Sequence, residues 1–386
     1  MNRWLQFTKT ACILLVCTVI IPVGYQTLKG RIMEPLGQAT EGIIPEGLII
    51  KKQGFETAVE GNASGSQWNS MNTSSSGTEQ SGNRVIHSAG SGRPKTGPGA
   101  ESYAPVTTVT TPITGYLAGS KMTLLANQTA SQMLSVLVET NQGRLIMIDG
   151  GVEGDAAHLI ETLAAKGGYV DAWLVTHPHS DHVGALNYIL SHPECGITVA
   201  HIYYSFANLS WYQEYEAYRA DMVEMLMNTF AALPQETLHG DIYKGQEIWV
   251  DNVKITVMNK PYLQAYNSIN NSSVAYMLDI NGKKALFIGD MGVETGKQFI
   301  EDNPPETLKC DILQMAHHGQ NGVGLEVYNV LRPEICLWPT PDWLWNNDSG
   351  SGLDSGNWKI LETRSWMAQL GAPYHVCIKD GDQVIQ

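Results

Sequence analysis

Residues 176–182 read T-H-P-H-S-D-H, which places three imidazoles and one carboxylate in seven consecutive positions directly after the apolar run Ala172-Trp-Leu-Val175. A short apolar run bounded by polar residues reads as a buried strand, so the cluster sits where a strand ends and a loop begins. A lone histidine at such a place is ordinarily just a hydrogen-bonded side chain. Four ligand-type groups this close would repel one another or compete for protons without a cation among them, and imidazole nitrogen with carboxylate oxygen is a donor set that zinc-like ions accept. In an extended loop, the two-residue period lets His177, His179 and Asp181 point the same way while His182 opens the next segment.

The surrounding chain follows one plan twice. Residues 133–139 and 144–149 are apolar strands joined by Asn141-Gln142-Gly143, a hairpin ending at Asp149. Leu159, Ile160 and Leu163 have helical spacing, closed by Gly167-Gly168, before the strand that carries the cluster. A helix over 183–192, a strand over 197–204 and a long amphipathic segment over 211–233 complete the first round. The second round has strands over 247–250 and 253–257, then a hairpin of 272–279 with 284–290 about Asn281-Gly282, the dipeptide that favours two-residue hairpin turns. The run 311–316 leads straight into His317-His318-Gly319, and a helix over 358–370 and a strand over 374–378 follow. Two β-rich halves covered by helices are expected.

The H-x-H-x-D-H spacing after an apolar strand resembles the signature of the metallo-β-lactamase superfamily. Asn270-Asn-Ser-Ser-Val274, Gly289-Asp290 and Asp311-Ile-Leu-Gln-Met-Ala-His-His-Gly319 resemble one branch of it, the metallo-β-lactamase-like domain of bacterial DNA-uptake (competence) proteins and related extracellular hydrolases. The resemblance implies an α/β (α+β) fold, a four-layered αββα sandwich spanning residues 119–386. It implies a supporting, non-ligating role for Asp149. His177 and His179 would hold a first ion, Asp181 and His182 a second, and Asp290 would bridge the two. Of the final pair one residue should ligate the second ion; His317, ending the strand, is favoured, with His318 the alternative or a polar group facing the substrate. The histidine of the third motif is missing, and Asn270 or Asn271 stands in its place. The first ion would then keep two imidazoles and the shared Asp290, with low affinity or a preference for a harder ion such as manganese. His192, His201 and His239 read as ordinary surface histidines.

The function so implied is hydrolysis by a metal-bound hydroxide, with two zinc ions and with Asp181, Asp290 and His318 as catalytic groups. Phosphoesters of the nuclease or phosphodiesterase type are the expected substrates. The alternatives are a hydrolase of lactams, lactones or phosphocholine esters, and a non-catalytic binding module with a degenerate metal site. The chain contains no Ser nucleophile elbow and no P-loop. Trp338, Trp343 and Trp345 are candidates for a stacking rim.

Charge narrows the partners. With 24 basic and 38 acidic residues the net charge is −14, so long-range electrostatics do not favour nucleic acid or an anionic membrane surface and any polyanionic substrate, nucleic acid included, needs local metal charge. Six cysteines without C-x-x-C spacing read as small buried hydrophobes rather than a disulfide framework. Residues 1–31 carry Arg3 and Lys9, an apolar core over 11–23, then Lys29 and Arg31, the pattern of a signal peptide or membrane anchor. Residues 32–118 shift to Gly, Ser and Thr, too poor in apolar side chains to offset ordering entropy, and read as a flexible tether. The body is therefore expected outside the cytoplasm, secreted or membrane-anchored.

Overall fold

The computed structural model describes residues 104–386; the signal or anchor segment at 1–31 and the tether as far as residue 103 lie outside the described residues. The first half of the body contains β1 (Lys121–Leu124), β2 (Ser135–Glu139), β3 (Leu145–Asp149), β4 (Tyr169–Val170), β5 (Ala172–Leu174), β6 (Thr198–Val199), β7 (Ile202–Tyr203) and β8 (Leu238–His239). The second contains β9 (Glu247–Val250), β10 (Val253–Val257), β11 (Tyr276–Ile280), β12 (Lys283–Phe287), β13 (Ile312–Gln314), β14 (Ile335–Trp338), β15 (Tyr374–Cys377) and β16 (Gln383–Ile385). These strands form two seven-stranded sheets, ordered β16-β1-β2-β3-β5-β7-β8 and β15-β14-β13-β12-β11-β10-β9, with β4 and β6 as a separate pair. Consecutive strands pair antiparallel through hairpins, as β2 with β3 and β11 with β12. Where a helix intervenes the pairing is parallel, as β3 with β5 and β12 with β13.

Side-chain alternation builds the layers. Val136, Val138, Ile146 and Ile148 of the first sheet meet Ile255, Leu278, Phe287 and Leu337 of the second in one buried cluster between the sheets. The opposite face of the first sheet, with Leu137 and Met147, packs on Leu159 and Leu163 of helix Ala156–Ala164, Leu186 of helix Ser180–Ser191 and Phe230 of helix Ala220–Ala231. The opposite face of the second, with Leu286 and Leu313, packs on Phe299, Val327 and Met367 of its own three helices. Both faces of each sheet are covered, which is why these strands are apolar at nearly every position. The result is the four-layered αββα sandwich. Cys310, Cys336 and Cys377 are buried and unbridged.

Four sequence expectations change. The stretch 104–118, placed with the tether by composition, lies on the body: Val106 and Leu117 are buried, and Val109 N donates to His375 O at 2.7 Å. Backbone pairing, which composition does not register, holds it there. A last strand, β16, returns to the first sheet beside β1. The amphipathic segment over 211–233 divides into helices Leu209–Tyr215 and Ala220–Ala231, with Glu216 at the break. Trp338 and Trp345 are buried and meet edge to face at 5.3 Å, so they belong to the core rather than a stacking rim. Trp343 is partly buried and packs on Trp358. Among the described residues no helix is long and apolar enough to cross a membrane.

Candidate metal centre

The ends of β3, β5, β12 and β13 deliver Asp149, the 176–182 segment, Asp290 and the tandem His317-His318 to one place. There the donor atoms form two groups, His177 with His179 and Asp290, and Asp181 with His182, Asp290 and His318, all buried and within 4.8 Å of one another in each group. Asp290 belongs to both. Helix Ser180–Ser191 begins inside the motif and ends the extended alternation before Asp181, yet His177, His179 and Asp181 all reach the centre that Asp290 shares.

Hydrogen bonds on the outer side of each ring assign which nitrogen faces inward. The Thr176 hydroxyl donates to Asp149 Oδ2 at 2.6 Å, so its oxygen is free to accept from His177 Nδ1 at 3.0 Å, leaving His177 Nε2 inward. His179 Nε2 faces Glu216 Oε1 at 3.2 Å, and its Nδ1 lies 3.3 Å from His177 Nε2. His182 Nδ1 donates to Asp149 Oδ2 at 2.7 Å, and its Nε2 lies 3.3 Å from Asp290 Oδ1. His318 Nδ1 donates to Pro339 O at 2.9 Å, and its Nε2 lies 3.2 Å from Asp181 Oδ2 and 3.4 Å from Asp290 Oδ2. Four imidazoles thus turn their inner nitrogens toward one space, the arrangement by which outer partners orient metal-binding histidines. Both carboxylate oxygens of Asp290 and Oδ1 of Asp181 are buried with no hydrogen-bond donor among the described residues. Such orphaned acceptors are costly unless a cation takes the place of the donors. Nitrogen and oxygen donors in this number fit divalent ions of the zinc type.

Asp149 stands outside both groups. Fully buried at a left-handed backbone position (φ 50), it accepts from Thr176 N, the Thr176 hydroxyl and His182, and so ties the end of β3 to the motif. The preference for His317 over His318 is reversed: His318 joins Asp181, His182 and Asp290, whereas His317 belongs to neither group. The strand stops at Gln314 and the chain turns through two left-handed residues, His317 (φ 50) and His318 (φ 55), which drives the second ring inward and leaves the first at the edge. Of the two asparagines at the third-motif position, Asn271 is engaged by Gly292 N and the Thr295 hydroxyl, while Asn270 Oδ1 is buried without a donor. His192, His201 and His239 lie outside both groups; His192 stacks on Tyr188, and His201 and His239 contact each other at 3.0 Å.

The charges in the cluster are strongly coupled. Burial alone would raise Asp181 and Asp290, but the adjacent imidazoles outweigh it and hold both well below the usual carboxylate range. Burial would likewise lower His182 and His318, yet Asp290 and its neighbours push His182 well above the ordinary imidazole value and His318 up to about 9. Burial, reinforced by His182, keeps His177 far below it. A divalent cation would replace the protons that otherwise balance these carboxylates.

Two elements of the site had no sequence signal. Glu216 is buried and accepts from Ile269 N at 2.9 Å and Ser268 Oγ at 3.2 Å besides facing His179; burial is outweighed by His179 and these donors, so its carboxyl is held at about 2. Within an amphipathic segment a glutamate reads as a solvated residue. Gln132 donates to Asp181 Oδ2 at 3.0 Å and is itself held by Gln320 at 2.8 Å.

The sequence model of the metallo-beta-lactamase superfamily matches residues 129–330, a span holding every residue of the two groups. ComE operon protein 3 of Bacillus subtilis (strain 168) is 26% identical over 181 residues, covering 46% of this chain and 21% of that protein. The chain therefore spans about a fifth of the length of this curated relative. Among solved structures, the metallo-beta-lactamase fold protein YhfI from Bacillus subtilis aligns with a TM-score of 0.43 and 11% identity, covering 69% of this chain and 99% of its own. Zn(2+)-bound PqqB from Methylobacterium extorquens aligns with a TM-score of 0.34 and 13% identity, over 50% of this chain and 71% of its own.

Proposed function

The chain belongs to the metallo-beta-lactamase superfamily, and from that premise we propose that it is a metal-dependent hydrolase of phosphoesters, of the phosphodiesterase type, acting outside the cytoplasm. The observation that carries the reading is the convergence of six buried side chains in two donor groups that share Asp290, with three carboxylate oxygens lacking any donor among the described residues. His177, His179 and Asp290 would hold one divalent ion, and Asp181, His182, Asp290 and His318 a second; zinc suits the donors, with manganese the alternative at the first. Bound there, a pair of ions would lower the pKa of water toward neutrality and polarise the phosphoryl oxygens.

The protein supplies the rest. Asp149 and Thr176 fix the rings of His182 and His177, Glu216 fixes His179, and Pro339 O fixes His318, so the donors are set before substrate arrives. Asp181, held ionised and anchored at Oδ2 by Gln132, leaves Oδ1 to orient the attacking water. The net charge of −14 weighs against long-range capture of nucleic acid, so a nucleic-acid substrate would bind through the centre itself. The basic-flanked apolar segment at 11–23 supports the extracytoplasmic location.

The test is a substrate panel on the purified chain with zinc and with manganese: bis-p-nitrophenyl phosphate, p-nitrophenyl phosphate and nitrocefin. Phosphodiester turnover that His179→Ala abolishes is the expected result. Nitrocefin turnover without phosphoester turnover would overturn the substrate class, and no turnover with less than one bound metal equivalent would favour a binding module.

A further inference from the structure

The tandem histidines stand on two sides of the shared carboxylate. His318 Nε2 lies 3.4 Å from Asp290 Oδ2 and His317 Nε2 lies 3.8 Å from the same oxygen. Resting on the metal-centre reading above, we infer that His317 is the third imidazole of the first donor group, replacing from the end of β13 the histidine that the third motif lacks at Asn270.

Three observations carry this. His177 Nε2, a member of the first group, is also 3.8 Å from Asp290 Oδ2, so both rings approach that oxygen equally. Donors on one tetrahedral ion with bonds of about 2.1 Å lie roughly 3.4 Å apart, which leaves only a few tenths of an ångström to close along each of these approaches. The ring is also held from its outer side like the other four: His317 Nδ1 faces Asn321 O at 3.4 Å, which leaves Nε2 toward Asp290. Finally, the contact that Nε2 now makes is a replaceable one. Asn270 Nδ2 donates to it at 3.3 Å while also donating to Asn267 Oδ1 at 3.1 Å, and Asn270 Oδ1 is buried with no donor among the described residues.

His317 stands just outside the tight group of His177, His179 and Asp290. Its ring is the one imidazole of the five with appreciable exposure, 16% of the side chain, so it has room to turn toward Asp290 and release the asparagine amide. Asparagine at position 270 is then compatible with a full first site, because the imidazole arrives from a different strand end. A first site with three imidazoles also selects zinc-like ions over manganese.

The test is metal binding by the full-length chain, independent of turnover. Zinc content after equilibrium dialysis, and visible spectra during cobalt titration, would be measured for the wild type, His317→Ala and the double variant His317→Ala with Asn270→His. The wild type should bind two equivalents. His317→Ala should keep one tight equivalent and weaken the other by about 100-fold, at least the upper end of what loss of an outer partner costs. The double variant should recover the second equivalent, with a manganese-to-zinc preference like the wild type. Circular dichroism of the metal-free proteins checks folding, and His317→Gln serves if the alanine variant does not fold. Unchanged binding of both ions by the His317 variant, or a wild type that binds fewer than two, would overturn the assignment. Two-ion binding that depends on His317 in a protein without phosphoester turnover would sustain it while sinking the proposed activity.

Discussion

Replacing Glu216 by alanine should loosen the fold and the first donor group together. The carboxylate is 3% exposed, with Oε1 facing His179 Nε2 at 3.2 Å and Oε2 accepting from Ile269 N at 2.9 Å and Ser268 Oγ at 3.2 Å. Alanine strands these three buried donors, while the exposed Tyr218 hydroxyl, 3.3 Å from Oε1, can turn to water. A buried donor without a partner costs about 1–3 kcal/mol. The Ser268 hydroxyl can rotate and water can enter the vacated volume, so the expected loss lies at the low end, about 3 kcal/mol. His179 loses its outer partner as well, which should weaken zinc binding by about 10- to 100-fold. Glu216→Gln keeps an acceptor for the backbone donor or the ring but not the charge, and should fall between. Urea unfolding followed by tryptophan fluorescence reads the first effect, and zinc dialysis the second. If Glu216→Ala unfolds within about 0.5 kcal/mol of the wild type and binds zinc equally well, the carboxylate does not tie the interhelical break to the site and the reasoning fails; that margin is what an ordinary surface substitution costs.

His375 accepts from Trp338 Nε1 at 3.1 Å and donates to Ala372 O at 3.0 Å, and burial holds its pKa down at about 4. The unfolded chain takes up its proton near 6.5 and the folded one does not. Its stability contribution is therefore complete above pH 6.5 and declines as pH falls toward 4, by about 3 kcal/mol, so a urea-midpoint difference between pH 7.5 and 4.5 should shrink in His375→Phe. At Gly289 (φ 56) an added Cβ would lie 2.7 Å from Ser273 Oγ and 3.0 Å from Thr176 Cβ, wedging the Asp290 turn away from the 176–182 segment. Gly289→Ala should cost about 2–4 kcal/mol in a thermal melt and weaken both metal equivalents, since Asp290 serves both groups. Removing metal with a chelator should lower stability by about 4 kcal/mol for each ion whose zinc had been present at a thousand times its dissociation constant, and calorimetry with and without chelator checks it.

Much of the fold was legible locally. The hairpins ending at Asp149 and Asp290, the strands running into the two histidine segments and the two-round order follow from periodicity and turn residues, because hydrophobic alternation and Asn281-Gly282 act over a few positions. The extended alternation stops inside the motif, where helix Ser180–Ser191 begins, yet His177 and His182 still meet with ring centroids 4.0 Å apart and both donor groups converge on Asp290. The local reading failed at 104–118, where backbone pairing with distant strands orders a stretch of tether-like composition.

By itself the sequence determined the chemistry: which donor types the chain owns, that they fall at strand ends, and that the third-motif histidine is absent. These are properties of residue type and short-range pattern. Tertiary structure alone decided the allocation. It set His318, not His317, beside Asp181, His182 and Asp290, and brought Glu216 to His179 across 37 positions and His182 to His318 across 136. Such contacts depend on the register of two sheets and on left-handed turns at single residues, and neither leaves a trace in the local spacing of side chains.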